Sequence, residues 1–315
     1  MIAEFVKYNC KNITKKSINL KKDLDLSVNQ KSKSLKVLII NRVCDLIAKI
    51  AELKGFDKRI GFTPTMGALH LGHASLMKRS MDENQISIVS IFVNPKQFNS
   101  SNDLEKYPRT IEKDIEFLDK IGVDLVFIPT VDDLYSADFN APNVELGRLE
   151  ILMEGKMRPG HFDGVIQVLT RLFQLVQPDN AYFGLKDFQQ VAVVKKMVNL
   201  LSLSVNIVDC PIYRELEGLA YSSRNERLSS EQKVEALFIY ESLLKAKELA
   251  KTMSPTQLIE VMKNDYAQSS LELEYFEIVH PLTLESLTDE WEDDAVACVV
   301  AHVGEVRLID NMKLR

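Results

Sequence analysis

Two histidines three residues apart, His70 and His73, flank Gly72 in the stretch Pro64-Thr65-Met66-Gly67-Ala68-Leu69-His70-Leu71-Gly72-His73. The mostly apolar run Arg59-Ile60-Gly61-Phe62-Thr63 precedes them, and Ala74, Leu76, Met77 and Met81 follow at helical spacing. The run reads as a short buried strand, and the residues from Gly72 onward read as a helix beginning. A helix start offers free backbone N–H groups and a partial positive charge, so imidazoles placed there form a phosphate cradle. Isolated histidines are more often structural than catalytic. The strand before, the glycines Gly67 and Gly72, and the helix after are what favour the cradle.

Three further segments carry chemistry-bearing side chains. Val93-Asn94-Pro95-Lys96-Gln97-Phe98 leaves the apolar run Ile86 to Val93. Its amides can donate and accept at once, which suits a substrate with hydroxyls and a carboxylate; a polar turn around Pro95 is the alternative. In Tyr182-Phe183-Gly184-Leu185-Lys186-Asp187-Phe188-Gln189-Gln190, Asp187 is placed to cap a helix whose core face is Phe188, Val191, Val194, Val198 and Leu201. Lys186 and Gln190 then lie near its first turn, either as a solvated lysine beside a cap or as phosphate and substrate contacts with Asp187 on a ribose. Gly218-Leu219-Ala220-Tyr221-Ser222-Ser223-Arg224-Asn225 offers two hydroxyls and the planar donor fork of an arginine, which suit a polyphosphate as well as they suit a polar loop. A helix terminus contributes about 0.3–1 kcal/mol toward an anion, and one preorganised donor about 3 kcal/mol toward developing charge. No single segment is sufficient, so the chemistry requires that they converge.

The elements that would position them alternate. From Lys36-Val37-Leu38-Ile39-Ile40, with Asn41 as cap of a helix carrying Val43, Leu46, Ile47 and Ile50, the chain runs through helix 72–83, strand 86–93, helix 110–121, strand 124–128, helix 163–177, strand 181–183, helix 187–201 and strand 205–208. Short apolar runs separated by helical patterns predict an open α/β parallel sheet, whose ligands bind at the carboxyl ends of the strands. Beyond Pro211 the pattern becomes a long helix, 229–252, a second opened by Ser254-Pro255, and strands over 271–279, 295–303 and 306–310. Helices followed by consecutive strands predict a smaller α+β domain. Residues 1–35, rich in Lys, Asn and Ser, read as a flexible or weakly helical extension, 36–212 as the sheet domain and 213–315 as the smaller one.

The chain of 315 residues carries a formal net charge of -6, which argues against blanketing nucleic acid. No stretch approaches the roughly 20 apolar residues of a membrane span, and the N-terminus lacks the apolar core of a signal peptide, so the cytoplasm is the expected compartment. Cys10, Cys44, Cys210 and Cys298 show no paired spacing, which gives neither a disulfide framework nor a zinc site.

Taken together, PTMGALHLGH, SIFVNPKQF followed by Tyr107-Pro108-Arg109-Thr110, RPGHFDGV at 158–165, FGLKDFQQ and EGLAYSSRN resemble, in order and spacing, the pantothenate synthetase family, the pantoate–β-alanine ligases. The resemblance covers residues 36–315 and places the chain in the wider HxGH nucleotidyltransferase group. It implies a Rossmann-like ATP- and pantoate-binding domain, a lid-like C-terminal domain and a homodimer. It also implies an ATP- and Mg2+-dependent ligation in which AMP is first transferred to the pantoate carboxylate and the β-alanine amine then displaces it, releasing AMP after pyrophosphate. By the same resemblance Met66, Gln97 and Gln190 contact pantoate, with Asn94 and Tyr107 lining the same cavity. His70 and His73, with Lys186, Ser222, Ser223 and Arg224, bind phosphates. Gly184 and Asp187 meet the ribose, Gly67 and Gly72 belong to the nucleotide loop, and Asp114 stands where an acidic residue near the metal is expected, an exposed helix-face aspartate being the alternative. Leu71 stands where many members have Glu, Tyr221 where a smaller or unbranched apolar residue is frequent, and residues 1–35 have no counterpart. An HxGH adenylyltransferase that leaves AMP on its product, and a non-catalytic nucleotide-sensing or RNA-binding module, are the competing expectations.

Overall fold

Six of the apolar runs pair side by side into a parallel sheet in the computed structural model, which describes residues 36–135 and 139–315. The strands are β1 (Leu38–Ile40), β2 (Ile60–Thr65), β3 (Ile86–Ile91), β4 (Leu125–Phe127), β5 (Asn180–Gly184) and β6 (Asn206–Cys210), in the spatial order β1-β4-β3-β2-β5-β6. The α-helices are α1 (Val43–Gly55), α2 (Leu71–Glu83), α3 (Ser101–Lys106), α4 (Ile111–Ile121), α5 (Val131–Leu134), α6 (Met153–Met157), α7 (His161–Val176), α8 (Phe188–Leu200), α9 (Ser230–Leu249) and α10 (Pro255–Ala267). The expected extension, residues 1–35, lies outside the described residues.

Alternation along the strands assigns the two faces. Phe62, Ile88, Leu125 and Phe127 pack with Leu46, Ile50 and Leu53 of α1 and the apolar side of α7, whereas Val89, Ile91 and Val126 pack with Met77 of α2 and Leu118 of α4. Helix α2 lies so close to β2 that a Cβ at Gly61 would collide with the Ser80 hydroxyl and the Asn84 amide. Two details of α1 differ from expectation. Arg42 rather than Asn41 occupies the N-cap position, without a side-chain cap, and Ile47 is 51% exposed while Leu46, Ile50 and Leu53 make the buried face of α1.

Strand order places the cleft. The chain moves from β2 outward to β3 and β4, then returns to lay β5 on the other side of β2, which makes the carboxyl end of β2 a topological switch point. Strands β2 and β3 stay in register from Ile60↔Ile86 to Thr65↔Ile91, but β2 and β5 pair only at Gly61↔Asn180 and Phe62↔Ala181. Beyond Phe62 the sheet therefore opens between β2 and β5.

The C-terminal part has its own core. Strands β7 (Glu272–Val279), β8 (Val296–Val303) and β9 (Val306–Lys313) form an antiparallel sheet in the order β7-β8-β9, with Ile239, Leu243, Leu258 and Met262 of α9 and α10 packed on it. Both helices start on reciprocal serine–glutamine caps, Ser229 with Gln232 and Ser254 with Gln257. Strand β9 runs three residues past the expected Asp310, so Asp310 and Asn311 lie within it. Among the described residues, no helix is long and apolar enough to cross a membrane.

Candidate active site

The loop from β2 to α2 turns sharply through two consecutive left-handed residues, Gly67 at φ 82° and Ala68 at φ 50°. A side chain at Gly67 would also come within 3.0 Å of Ile91 and 3.1 Å of Asp114, so this position requires glycine. The buried Asp114 carboxylate braces the loop: Oδ2 accepts from the Ala68 N–H at 3.0 Å, and Oδ1 from the Leu69 N–H at 2.8 Å and the Thr110 hydroxyl at 3.3 Å. Asp114 was expected near a metal or on an exposed helix face. It is instead a buried anchor for main-chain N–H groups, 2% exposed.

His70 takes the N-cap position of α2, and its N–H points at His73 Nδ1, 3.4 Å away. An Nδ1 that accepts leaves the proton of neutral His73 on Nε2. The imidazole centroids are 4.0 Å apart. Gly72 makes this approach possible, since a Cβ there would sit 2.9 Å from the His70 ring and 3.1 Å from Tyr221. Burial, His73 and the Lys186 ammonium push the His70 pKa down to about 2. Burial drives His73 down to about 4, Lys186 adding to the fall and Asp187 opposing it. Both rings are therefore neutral near pH 7. The His70 side chain faces back toward the His73 N–H in a reciprocal cap at the start of α2, and its ring lines the cleft.

Across the opening, β5 ends in the turn Leu185–Asp187, which delivers Gly184, Lys186 and Asp187, with Gln190 following in α8. Asp187 holds the N-cap position of α8 without a side-chain cap, which leaves its carboxylate to the cleft. The Asn311 amide donates to the carbonyls of Leu185 and Lys186, at 2.8 and 2.9 Å, and so fixes this turn from β9. Beside it, Asp310 accepts two bonds from Arg214, at 2.5 and 2.8 Å, and Arg214 in turn donates to the Gly218 carbonyl at 3.1 Å. The turn so held carries Tyr213 and Tyr221, whose rings stack at 5.5 Å, while Tyr221 stacks on His70 at 5.8 Å.

The segment Ser222–Arg227 closes the rim. Ser223 donates to the Ala68 carbonyl at 3.1 Å and is hydrogen-bonded to the buried Tyr107 hydroxyl. Arg224 lies 5.9 Å over the Tyr107 ring and donates to Asp103 at 2.9 Å, and Arg227 reaches the same carboxylate at 3.4 Å. On the β3 side, the Gln97 amide Nε2 lies 2.8 Å from Met66 Sδ.

One cleft thus gathers Met66, His70, Gly72, His73, Gln97, Tyr107, Gly184, Lys186, Asp187, Gln190, Ser222, Ser223 and Arg224. Three expected residues stand behind its wall. Gly67 and Asp114 shape the loop, and Asn94, expected as lining, is 1% exposed with its amide on the Gly164 carbonyl at 2.9 Å and its oxygen accepting from Tyr135 at 2.9 Å. Sequence reasoning missed the apolar floor that α7 contributes through Val165, Val168, Leu169 and Leu172, because a continuous apolar helix face reads as core. It also missed Tyr213, which carries no local signal. Among the described residues no group of three or more His, Cys, Asp or Glu is arranged to hold a metal.

Comparison with known proteins identifies the family. The family model for pantoate-beta-alanine ligase matches residues 38–313. Pantothenate synthetase of Bacteroides thetaiotaomicron is 46% identical over 282 residues, 88% of this chain and 99% of that relative. That of Porphyromonas gingivalis is 48% identical over 278 residues, 87% of this chain and 98% of the relative. Among solved structures, pantothenate synthetase from Thermus thermophilus superposes with a TM-score of 0.82 at 41% identity, covering 88% of this chain and 99% of that one. Pantoate-beta-alanine ligase from Francisella tularensis, complexed with beta-gamma ATP and beta-alanine, gives a TM-score of 0.75 at 34% identity, covering 88% and 98%.

Proposed function

The chain belongs to the pantoate–β-alanine ligase family, and from that premise we infer which of its side chains carry out the reaction. It is an ATP-dependent ligase that joins pantoate to β-alanine through a pantoyl adenylate, with release of AMP and pyrophosphate. A carboxylate oxygen of pantoate attacks the α-phosphorus of ATP and the bond to pyrophosphate breaks. The β-alanine amine then attacks the adenylate carbonyl carbon and AMP departs. Adenylation is required because a free carboxylate is a poor electrophile.

The observation that supports the assignment of roles is the convergence of two kinds of group on one cleft. Met66, Gln97 and Gln190 bring amides and a thioether to it, and His70, His73, Lys186, Ser222, Ser223 and Arg224 bring imidazoles, hydroxyls and cations, with His70 at the start of α2. The first set suits a hydroxy acid, and Tyr107, which packs on Phe98 beside Gln97 and is hydrogen-bonded to Ser223, lines the same cleft. The second set suits a triphosphate. His70 and His73 act as neutral hydrogen-bonding groups and Lys186 and Arg224 as the charges that follow the phosphates as pyrophosphate leaves. Gly184 and Asp187 accept the ribose, with Gly67 and Gly72 allowing the nucleotide loop its close turn.

Mg2+ is expected with ATP, but Asp114 does not fit it as a ligand, since it is 2% exposed, lies outside the cleft lining and holds the Ala68 and Leu69 N–H groups. The donor set instead suits a cation carried in on the triphosphate oxygens. We assign residues 36–212 to ATP and pantoate binding and residues 213–315 to a lid. The uncovered apolar side chains Leu38 and Ile39 on the sheet edge and Ile47 on α1, 43–51% exposed, support a homodimer, and the use of ATP supports a cytoplasmic location.

The test is a coupled assay with pantoate, β-alanine and ATP, each omitted in turn. Pantothenate and AMP should appear only with all three, and pyrophosphate exchange into ATP should need pantoate but not β-alanine. Exchange with no amine-dependent release of AMP would point to an adenylyltransferase instead.

A further inference from the structure

The segment Arg158-Pro159-Gly160-His161 supplies two side chains to which the ligation chemistry gives no task, and both converge on one atom. The Gln97 carbonyl oxygen lies 2.7 Å from His161 Nδ1 and accepts from Arg158 Nη2 at 3.2 Å. Arg158 Nη1 lies 3.3 Å from His161 Nε2. A guanidinium can only donate, so Nε2 accepts, and Nδ1 carries the proton given to the Gln97 carbonyl. The triangle closes with each hydrogen assigned: a charged arginine, a neutral imidazole and one doubly bonded carbonyl. Burial and the adjacent Arg158 charge keep His161 in that neutral form, its pKa lowered to about 4.

The same main chain is gripped from a second side. At Gly164, within the first turn of α7, a Cβ would collide with the Lys96 carbonyl and the Gln97 Cα, so the helix is pressed against the turn Pro95–Gln97. Arg158 is itself steadied 3.7 Å from Glu154, which Arg307 of β9 grips with two bonds of 2.9 and 2.7 Å. These contacts fix the Gln97 main chain and hence the direction of its Cα–Cβ bond, and the side chain that starts from it reaches the cleft wall, its Nε2 2.8 Å from Met66 Sδ.

We propose that Arg158 and His161 are positioning residues for the pantoate half of the reaction: by fixing the Gln97 carbonyl they set the direction in which the Gln97 amide meets pantoate, without touching pantoate themselves. The proposal rests on the reading that Gln97 binds pantoate. Steady-state kinetics on four variants separate the two. Gln97→Ala should raise the KM for pantoate and leave that for ATP unchanged; an unmoved pantoate KM overturns the reading of Gln97 itself. His161→Ala should raise the pantoate KM about tenfold, the worth of one buried hydrogen bond, with the ATP KM unchanged. His161→Asn, whose amide N–H falls near the Nδ1 position, should recover most of that loss. In the double variant Gln97→Ala/His161→Ala the second change should add nothing, because both act through one amide. Additive losses, or a parallel rise in both KM values, would overturn the positioning role while leaving the Gln97 assignment standing. Should His161→Ala fail to fold, Arg158→Met, which removes the second donor, is carried through the same cycle with the same expected outcomes.

Discussion

The side-chain amide of Asn311 donates to the main-chain carbonyl of Lys186 at 2.9 Å, so a strand of the C-terminal sheet holds the turn that aims a cleft cation. Lys186→Ala should lower turnover about 10²–10³-fold, roughly 3–4 kcal/mol of transition-state stabilisation, with the fold retained. Asn311→Leu should reproduce part of that loss, about tenfold, by freeing the turn. Wild-type turnover in Lys186→Ala would remove the phosphate role, and additive losses in the double variant would show that Asn311 acts elsewhere.

Asp114 offers a test of whether an acidic side chain here serves a metal or the loop. Asp114→Asn leaves one acceptor for two N–H groups and should cost about 1–3 kcal/mol of stability. Turnover should fall while its dependence on Mg2+ concentration keeps its midpoint. A shifted midpoint in a magnesium titration would return Asp114 to the metal.

Arg224 donates to Asp103, and Arg227 shares the same carboxylate. The pair is partly exposed and so is worth about 1 kcal/mol or less. Asp103→Asn should therefore lower the ATP KM a few-fold, because the guanidinium no longer leaves a partner to meet phosphate. A raised ATP KM would show instead that Asp103 preorganises the arginine.

Acid should weaken the fold in two stages. His161 and His73 are held down to about 4 against an ordinary value of 6.5. Between those values the unfolded chain binds more protons than the folded one, so stability falls as pH drops through that window. Glu154 and Glu274 are also held below the usual carboxylate range, after burial is outweighed by Arg307, and their contribution is lost only lower, as pH falls through their folded values. Chemical unfolding at pH 7 and pH 5 should show a loss of which buried His161 accounts for about 2 kcal/mol. In His161→Asn that part of the slope should vanish.

Local signals were the legible ones. The parallel strands, the junction at Gly67 to His73 and the helix starts at Ser229 and Ser254 are written in spacings of a few residues, and each appears close to where the pattern places it. Asn41 and Ile47 mislead because the helix starts one residue later than the cap propensity suggests and its buried face is Leu46, Ile50 and Leu53. Asp114 and Asn94 are polar side chains near motifs, and only the fold shows that their bonds go to main-chain groups at Ala68 and Gly164. Arg158 and His161 meet Gln97 across more than sixty residues of chain, a relationship without any local trace. What converges on the cleft from afar is a product of topology.

Asp310 and Asn311 stand next to each other on β9, one holding the turn of Tyr213 and Tyr221 through Arg214, the other the turn of Lys186. Were β9 to pair with β8 one residue out of step, every side chain on it would change faces and both anchors would be lost together. Turnover thus reports on the assembly of the C-terminal hairpin: a mispaired chain, however well it folds elsewhere, would be catalytically impaired.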